Sequence, residues 1–340
     1  MGFAGAVVGG CTLVLAAAAC LLATPSGAAF TASAGTGSVL ASDTLDPPGA
    51  LTATRSCAMT APTLRSVSQA TATATSITVA RPAGVLPGDA LIAIVMHHDS
   101  SSEPVAAVAG GWGMEIPSHS SLGGEALMVL KIATAAEPAS YSFAGLDSSD
   151  ATAVVVLAYT GVDPTTPLAA TPAGQANANG STVAAPSVTT DRAGATFVTA
   201  FLADDYASTI SVPAGTTSRA DVLAAGPQEV RVRVTDRVIP AAGATGVTAA
   251  TLTTSRYSHG FAVALRGTMP VTLTWTPTPD TYATGYEGFR EDVNELVPVL
   301  DRTTSTFVDG SAGAAQMAYQ VRSVGGTWRS PYARVVVPAC

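Results

Sequence analysis

The chain of 340 residues contains one lysine, Lys131, and its charged residues amount to only 12% of the sequence. That is about half the usual charged share of a soluble domain. Nucleic-acid recognition needs Lys and Arg concentrated against phosphates. A formal net charge of −8 with no basic cluster runs against it. Aromatic residues are scarce at 6%, which argues against a long cleft that stacks sugars on rings. There are four histidines and no Gly-x-Ser-x-Gly elbow, so a Ser-His-Asp hydrolase has little to build on. No glycine-rich phosphate loop opens a helix. No stretch sustains a capped 3.6-residue apolar period, which excludes helical classes.

Ala, Thr, Ser, Gly and Val fill the gap. With 32 glycines and 22 prolines, this composition favours short strands and turns. The length suffices for two domains with cores of their own. Strand-length apolar runs recur at Ser76–Ala80, Ala90–Met96, Ala126–Ile132, Ser140–Phe143, Ala151–Tyr159, Ala195–Leu202, Glu229–Val234, Val247–Leu252 and Phe261–Leu265. Turn signals separate them, among them Pro82-Ala83-Gly84, Pro87-Gly88-Asp89 and Pro213-Ala214-Gly215. Many short punctuated strands indicate a sandwich or jelly roll. Glu229–Val234 predicts valines toward the core and Glu and Arg toward water.

Residues 3–23 form an uncharged apolar run followed by small residues, which suits an export signal cleaved near Ala28, although the basic flank is missing. Retention as a membrane anchor is the rival reading, because about 21 residues can span a bilayer. Cys11 and Cys20 lie inside this run; Cys57 and Cys340 remain, an even number in an exported chain, and a disulfide between them is expected. Ala28-Ala29-Phe30-Thr31 through Asp43-Thr44-Leu45-Asp46 resembles the start of biofilm fibre subunits of the TasA/camelysin type.

Further along, Pro82–Ala93, Gly111-Trp112, Ala158–Pro167 and Ala185–Thr190 look like a widespread bacterial exported domain, a jelly-roll-like β-sandwich of unassigned function. The resemblance implies architecture and a surface or secreted setting, and it transfers no catalytic residue. The tail, with Val271–Trp275, Gly285–Arg290, Thr306–Asp309 and Tyr319–Ser323, resembles a fibronectin type III domain. There Trp275 is core and Tyr319 sits on the penultimate strand. Its first strand is missing from the tail, and Pro47–Thr54 supplies a candidate far upstream.

The expected organisation is therefore all-β. Residues 1–28 are a signal or anchor and 29–50 a low-complexity start. Residues 51–58 give the first strand of a fibronectin type III-like module, 62–267 a jelly-roll-like sandwich inserted into it, and 269–340 the rest of the module. A Cys57–Cys340 bridge closing that module is worth up to about 5 kcal/mol by chain entropy.

The most suggestive polar cluster is His97-His98-Asp99, where imidazole and carboxylate together suit a transition metal. Adjacent residues of an extended chain point to opposite faces, so a shared ion requires a loop tip. Asp147–Asp150 and Asp204-Asp205 could offer oxygen ligands for Ca²⁺ but lack the spacing of a defined calcium loop. Asn179-Gly180-Ser181 fits a glycosylation sequon by chance. The expectation is an exported, non-enzymatic protein without cofactor or metal, located at the cell surface or secreted. Its task is binding or adhesion to a glycan, the cell wall or another surface protein, through loops carrying His97, His98, Asp99, Asp204, Asp205 and Tyr206. A structural fibre or surface-layer subunit is the alternative, and a polysaccharide-active hydrolase with paired carboxylates the third reading.

Overall fold

The computed structural model describes residues 28–31, 41–98, 106–109, 111–120, 124–204, 208–226, 228–291 and 293–340. The apolar N-terminal run, Cys11, Cys20, Asp99, Asp205 and Tyr206 lie outside them. Every element among the described residues is a strand. In chain order these are β1 (Ala28–Thr31), β2 (Ala41–Thr44), β3 (Gly49–Arg55), β4 (Thr63–Ala72), β5 (Ser76–Ala80), β6 (Ala90–His97), β7 (Ala106–Ala109), β8 (Met114–Ser120) and β9 (Gly124–Ile132). Next come β10 (Ser140–Ala144), β11 (Thr152–Thr160), β12 (Ala173–Ala185), β13 (Thr189–Thr190), β14 (Thr196–Asp204), β15 (Thr217–Ala224), β16 (Val230–Val238), β17 (Gly243–Ala244) and β18 (Thr248–Leu265). The last are β19 (Val271–Thr276), β20 (Gly285–Arg290), β21 (Val293–Asp301), β22 (Thr306–Asp309), β23 (Met317–Gly325), β24 (Trp328–Arg329) and β25 (Ala333–Val337).

They divide into two compact units, residues 56–270 with 310–313, and residues 1–55 with 271–309 and 314–340. In the larger unit, β4 to β11 alternate between two sheets, ordered β4-β11-β6-β9-β8 and β5-β10-β7, except that β8 and β9 pair as a hairpin within the first. That alternation is jelly-roll winding. The second half of the unit adds a third layer, β12-β18-β14-β16-β15. The middle layer is thus covered on both faces, and its strands read as continuous apolar runs rather than alternations. Of β6, Leu91, Ala93 and Val95 join the core shared with Tyr141 and Phe143. Ile92, Ile94 and Met96 join the core shared with Val198, Leu202, Val232 and Phe261. Tyr159, fully buried, donates its hydroxyl to Asp236 at 2.8 Å, a polar link within this packing between two sheets. In β16 Val230, Val232 and Val234 are buried as the pattern predicts, but Arg231 and Arg233 clamp Asp221 instead of reaching freely into water. The runs at 247–252 and 261–265 belong to one strand, β18. That strand accommodates β12 because Gly260 has no side chain: a Cβ there would lie 2.0 Å from the Ala184 carbonyl oxygen.

In the smaller unit, β3 pairs antiparallel with β19, and β19 with β22. The second sheet is β21-β20-β23, with β24 and β25 both on the far side of β23. The first strand starts at Gly49 and ends at Arg55, so Cys57 lies beyond it rather than in it. Trp275 is buried edge-on to Tyr286, with centroids 5.5 Å apart. Tyr319 turns its hydroxyl to Asp309 at 2.7 Å.

Candidate functional site

The end of β6 separates the two neighbouring histidines. His97 is fully buried: its Nε2 accepts the Asp147 N–H at 2.9 Å and its Nδ1 faces Thr152 Oγ1 at 2.8 Å. With Nε2 accepting, the ring proton sits on Nδ1 and is donated to Thr152. His97 therefore pins the connection between β10 and β11, and it is not a surface ligand. The reason is strand parity, which sends it into the layer away from its neighbour.

His98 takes the opposite direction. Its Nδ1 is 3.6 Å from Asp150 Oδ2 and its Nε2 is 3.6 Å from Asp204 Oδ1, with all three side chains 13–15% exposed. These spacings are longer than hydrogen bonds. His98 Nδ1 and Asp204 Oδ1 are shielded from solvent yet make no hydrogen bond among the described residues. Burial pushes the Asp204 carboxyl above its ordinary range; the Asp150 charge adds to this, while His98 and Arg256 oppose it. The two carboxylates face opposite ring nitrogens, so one ion cannot take His98 and both aspartates together. Among the described residues no group of three or more His, Cys, Asp or Glu is arranged to hold a metal ion.

Asp147 is committed elsewhere. Its Oδ1 accepts the Ser149 N–H and hydroxyl, both at 2.7 Å, and these bonds hold its carboxyl below the usual range. The local sequence explains the shape, because an Asx residue that bonds two positions on makes a turn. Only Asp150 of that run reaches His98. Asp204 ends β14, where the sheet stops pairing, and so meets the loop end rather than the core. The sequence pattern named His98 and Asp204 but joined neither to Asp150, and Arg256 carried no signal, because separations of 52 to 158 residues leave no local pattern.

Elsewhere in the larger unit, a cleft of about 500 Å³ is lined by Cys57, Met59, Arg192, Gly194, Val238 and Ile239 among others. Cys57 and Cys340 are both disulfide-bonded.

No protein-family model and no curated protein matches this chain. Among solved structures it is similar to chicken CNTN1 FN1-FN3 domains, at 10% identity, covering 82% of this chain and 99% of that one with a TM-score of 0.18. It is also similar to the tripod (BppUct-A-L) from the baseplate of bacteriophage Tuc2009, at 10% identity, covering 50% and 82%, with a TM-score of 0.15.

Proposed function

We propose that this is an exported, non-enzymatic binding protein of the cell surface or medium, and that the His98–Asp150–Asp204 end of its larger unit contacts a glycan or cell-wall polymer. The observation that carries the reading is unmet hydrogen-bonding capacity. His98 Nδ1 and Asp204 Oδ1 are shielded polar atoms without a hydrogen bond among the described residues. Shielded polar groups are nearly always satisfied, and a polyhydroxylated ligand offers both donors and acceptors to them. The raised Asp204 carboxyl supports the same reading, because stability is given up where a ligand is to be met.

The test uses Asp204→Asn and His98→Ala in the full chain, measured by co-sedimentation with insoluble peptidoglycan and with chitin at neutral pH. Both variants should lose about tenfold or more in retained protein. Asp204→Asn should meanwhile unfold at the same or a higher temperature, since it removes a carboxylate that burial disfavours. The sign follows from linkage: a carboxyl raised in the folded state favours folding below its unfolded value and opposes it above. The gain should therefore shrink as pH falls through the raised folded value and be gone by about pH 4. Unaltered sedimentation of both variants would refute the assignment of this site.

A further inference from the structure

The outer face of the second sheet in the smaller unit gathers side chains that the reading above does not use. Aromatics are scarce in the chain, yet Tyr332 stands 43% exposed here. Arg322 on β23 lies over the rings of Tyr332 at 4.7 Å and Phe289 at 5.2 Å, and the two rings meet edge-on at 5.5 Å. Glu287 fixes the same guanidinium at 2.7 Å and takes Arg329 on its other oxygen, also at 2.7 Å. Arg334 pairs with Glu291 at 2.7 Å, both about half exposed. Three guanidiniums against two carboxylates leave this face positive on a chain of net charge −8.

The register sets the spacing. Arg329 lies opposite Val324 and Arg334 opposite Gln320, with Arg322 between them on β23. The three arginines therefore occupy successive rows of one face, about 6.7 Å apart along the strands. That is the repeat of alternate side chains in any extended peptide. The mixture of Tyr, Phe and Arg, with Val336 exposed, is the composition of protein-binding hot spots rather than of a purely ionic patch. Arg322 is already held by two rings and a carboxylate, so ordering it on binding costs little.

We propose that this face docks an extended segment of another protein carrying acidic side chains at alternate positions. The acidic carboxylates would meet the arginine rows, and the methylenes of the same side chains would pack on Tyr332 and Val336, while the intervening residues face away. The site is independent of the loop end of the larger unit, and either can fail without the other.

The test is fluorescence anisotropy of the full chain with three labelled probes. These are the peptide Thr-Glu-Thr-Glu-Val-Glu-Thr-Glu-Thr, a block permutation with its four glutamates consecutive, and dextran sulfate. Measurements are made at low ionic strength and at about 0.15 M salt. The alternating peptide should bind more tightly than the block peptide. Arg334→Glu and Tyr332→Ser should each weaken it about tenfold or more, and Arg192→Ala in the other unit should not. Melting curves establish that the variants, altered at exposed positions, remain folded. Equal binding of all three anions with Tyr332→Ser silent would overturn the proposal in favour of plain charge attraction. Absence of peptide binding at low ionic strength would overturn it outright.

Discussion

Replacing Asp309 by alanine should destabilise the smaller unit by about 3–5 kcal/mol, the range for removing one partner of a buried ion pair. Arg290 and Asp309 are 3% and 2% exposed and lie 2.7 Å apart, and the same carboxylate oxygen accepts the Tyr319 hydroxyl. The variant leaves a guanidinium in the interior without this carboxylate and a phenol with only the weak acceptor Met317 Sδ, 3.0 Å away. Asp309→Asn keeps an acceptor and should fall between wild type and alanine; Tyr319→Phe, which loses one hydrogen bond, should cost about 1 kcal/mol. Burial, and then the bond to Asp309, push the Tyr319 hydroxyl up. Its contribution is therefore present through neutral pH, and the Tyr319→Phe penalty should shrink only above about pH 10. Hydrogen exchange on the intact chain localises the effect, with amides of 271–309 and 314–340 opening more readily and the larger unit unchanged. A loss below about 1 kcal/mol for Asp309→Ala would show that the pair is not held as described.

The second large effect is expected at the one lysine. Lys131 Nζ lies 2.6 Å from Glu137 Oε1, and the two side chains are 8% and 3% exposed. Tyr141 donates to the same oxygen and the Thr134 N–H to the other, each at 3.0 Å. The ammonium also stands 5.7 Å from the Trp112 ring and 5.8 Å from that of Tyr141. Glu137→Ala removes the centre of this network and should cost the larger unit about 3–5 kcal/mol. Lys131→Met should cost less, because Glu137 keeps two donors and can take up a proton. Burial alone would raise the Glu137 carboxyl, but Lys131, Thr134 and Tyr141 hold it below the usual range. Its contribution is thus complete above the ordinary glutamate value of about 4.3 and is lost as pH falls through the folded value. Urea unfolding at neutral and acid pH checks both the ranking and the convergence of wild type with Glu137→Ala in acid. A larger loss for Lys131→Met than for Glu137→Ala would contradict the ranking.

Legibility in the sequence follows position within the sheets. The interior strands β6, β9 and β11 of one five-stranded sheet, and β14, β16 and β18 of the other, stand out as apolar runs because neighbours cover them on both sides. The edges β4, β8, β12 and β15 leave no such trace. Thr63–Ala72 and Ala173–Ala185 carry Ser, Thr, Gln, Asn and Gly, residues that an edge tolerates and that read as loop. The all-β class was therefore legible, while the division of the larger unit into three layers was not, because an apolar run marks a strand and not the sheet it joins. The same limit governs the site. Opposed directions for His97 and His98 follow from strand parity, but the partners of His98 come from β14 and the β10–β11 connection, which pattern alone cannot bring together. The surface of the smaller unit left no signal of its own, because the stacking on Arg322 depends on the β23–β25 register.

The proposed function rests on the chain working outside the cell, in an oxidising setting where the disulfide-bonded Cys57 and Cys340 stay oxidised. The direct measurement is the intact mass of protein recovered from native culture medium and from membranes, with and without reductant, followed by non-reducing peptide mapping. The account predicts a species in the medium that begins near Ala29, gains the mass of two hydrogens on reduction, and yields a peptide linking Cys57 to Cys340. A reduced species retained in the cytoplasm would contradict it.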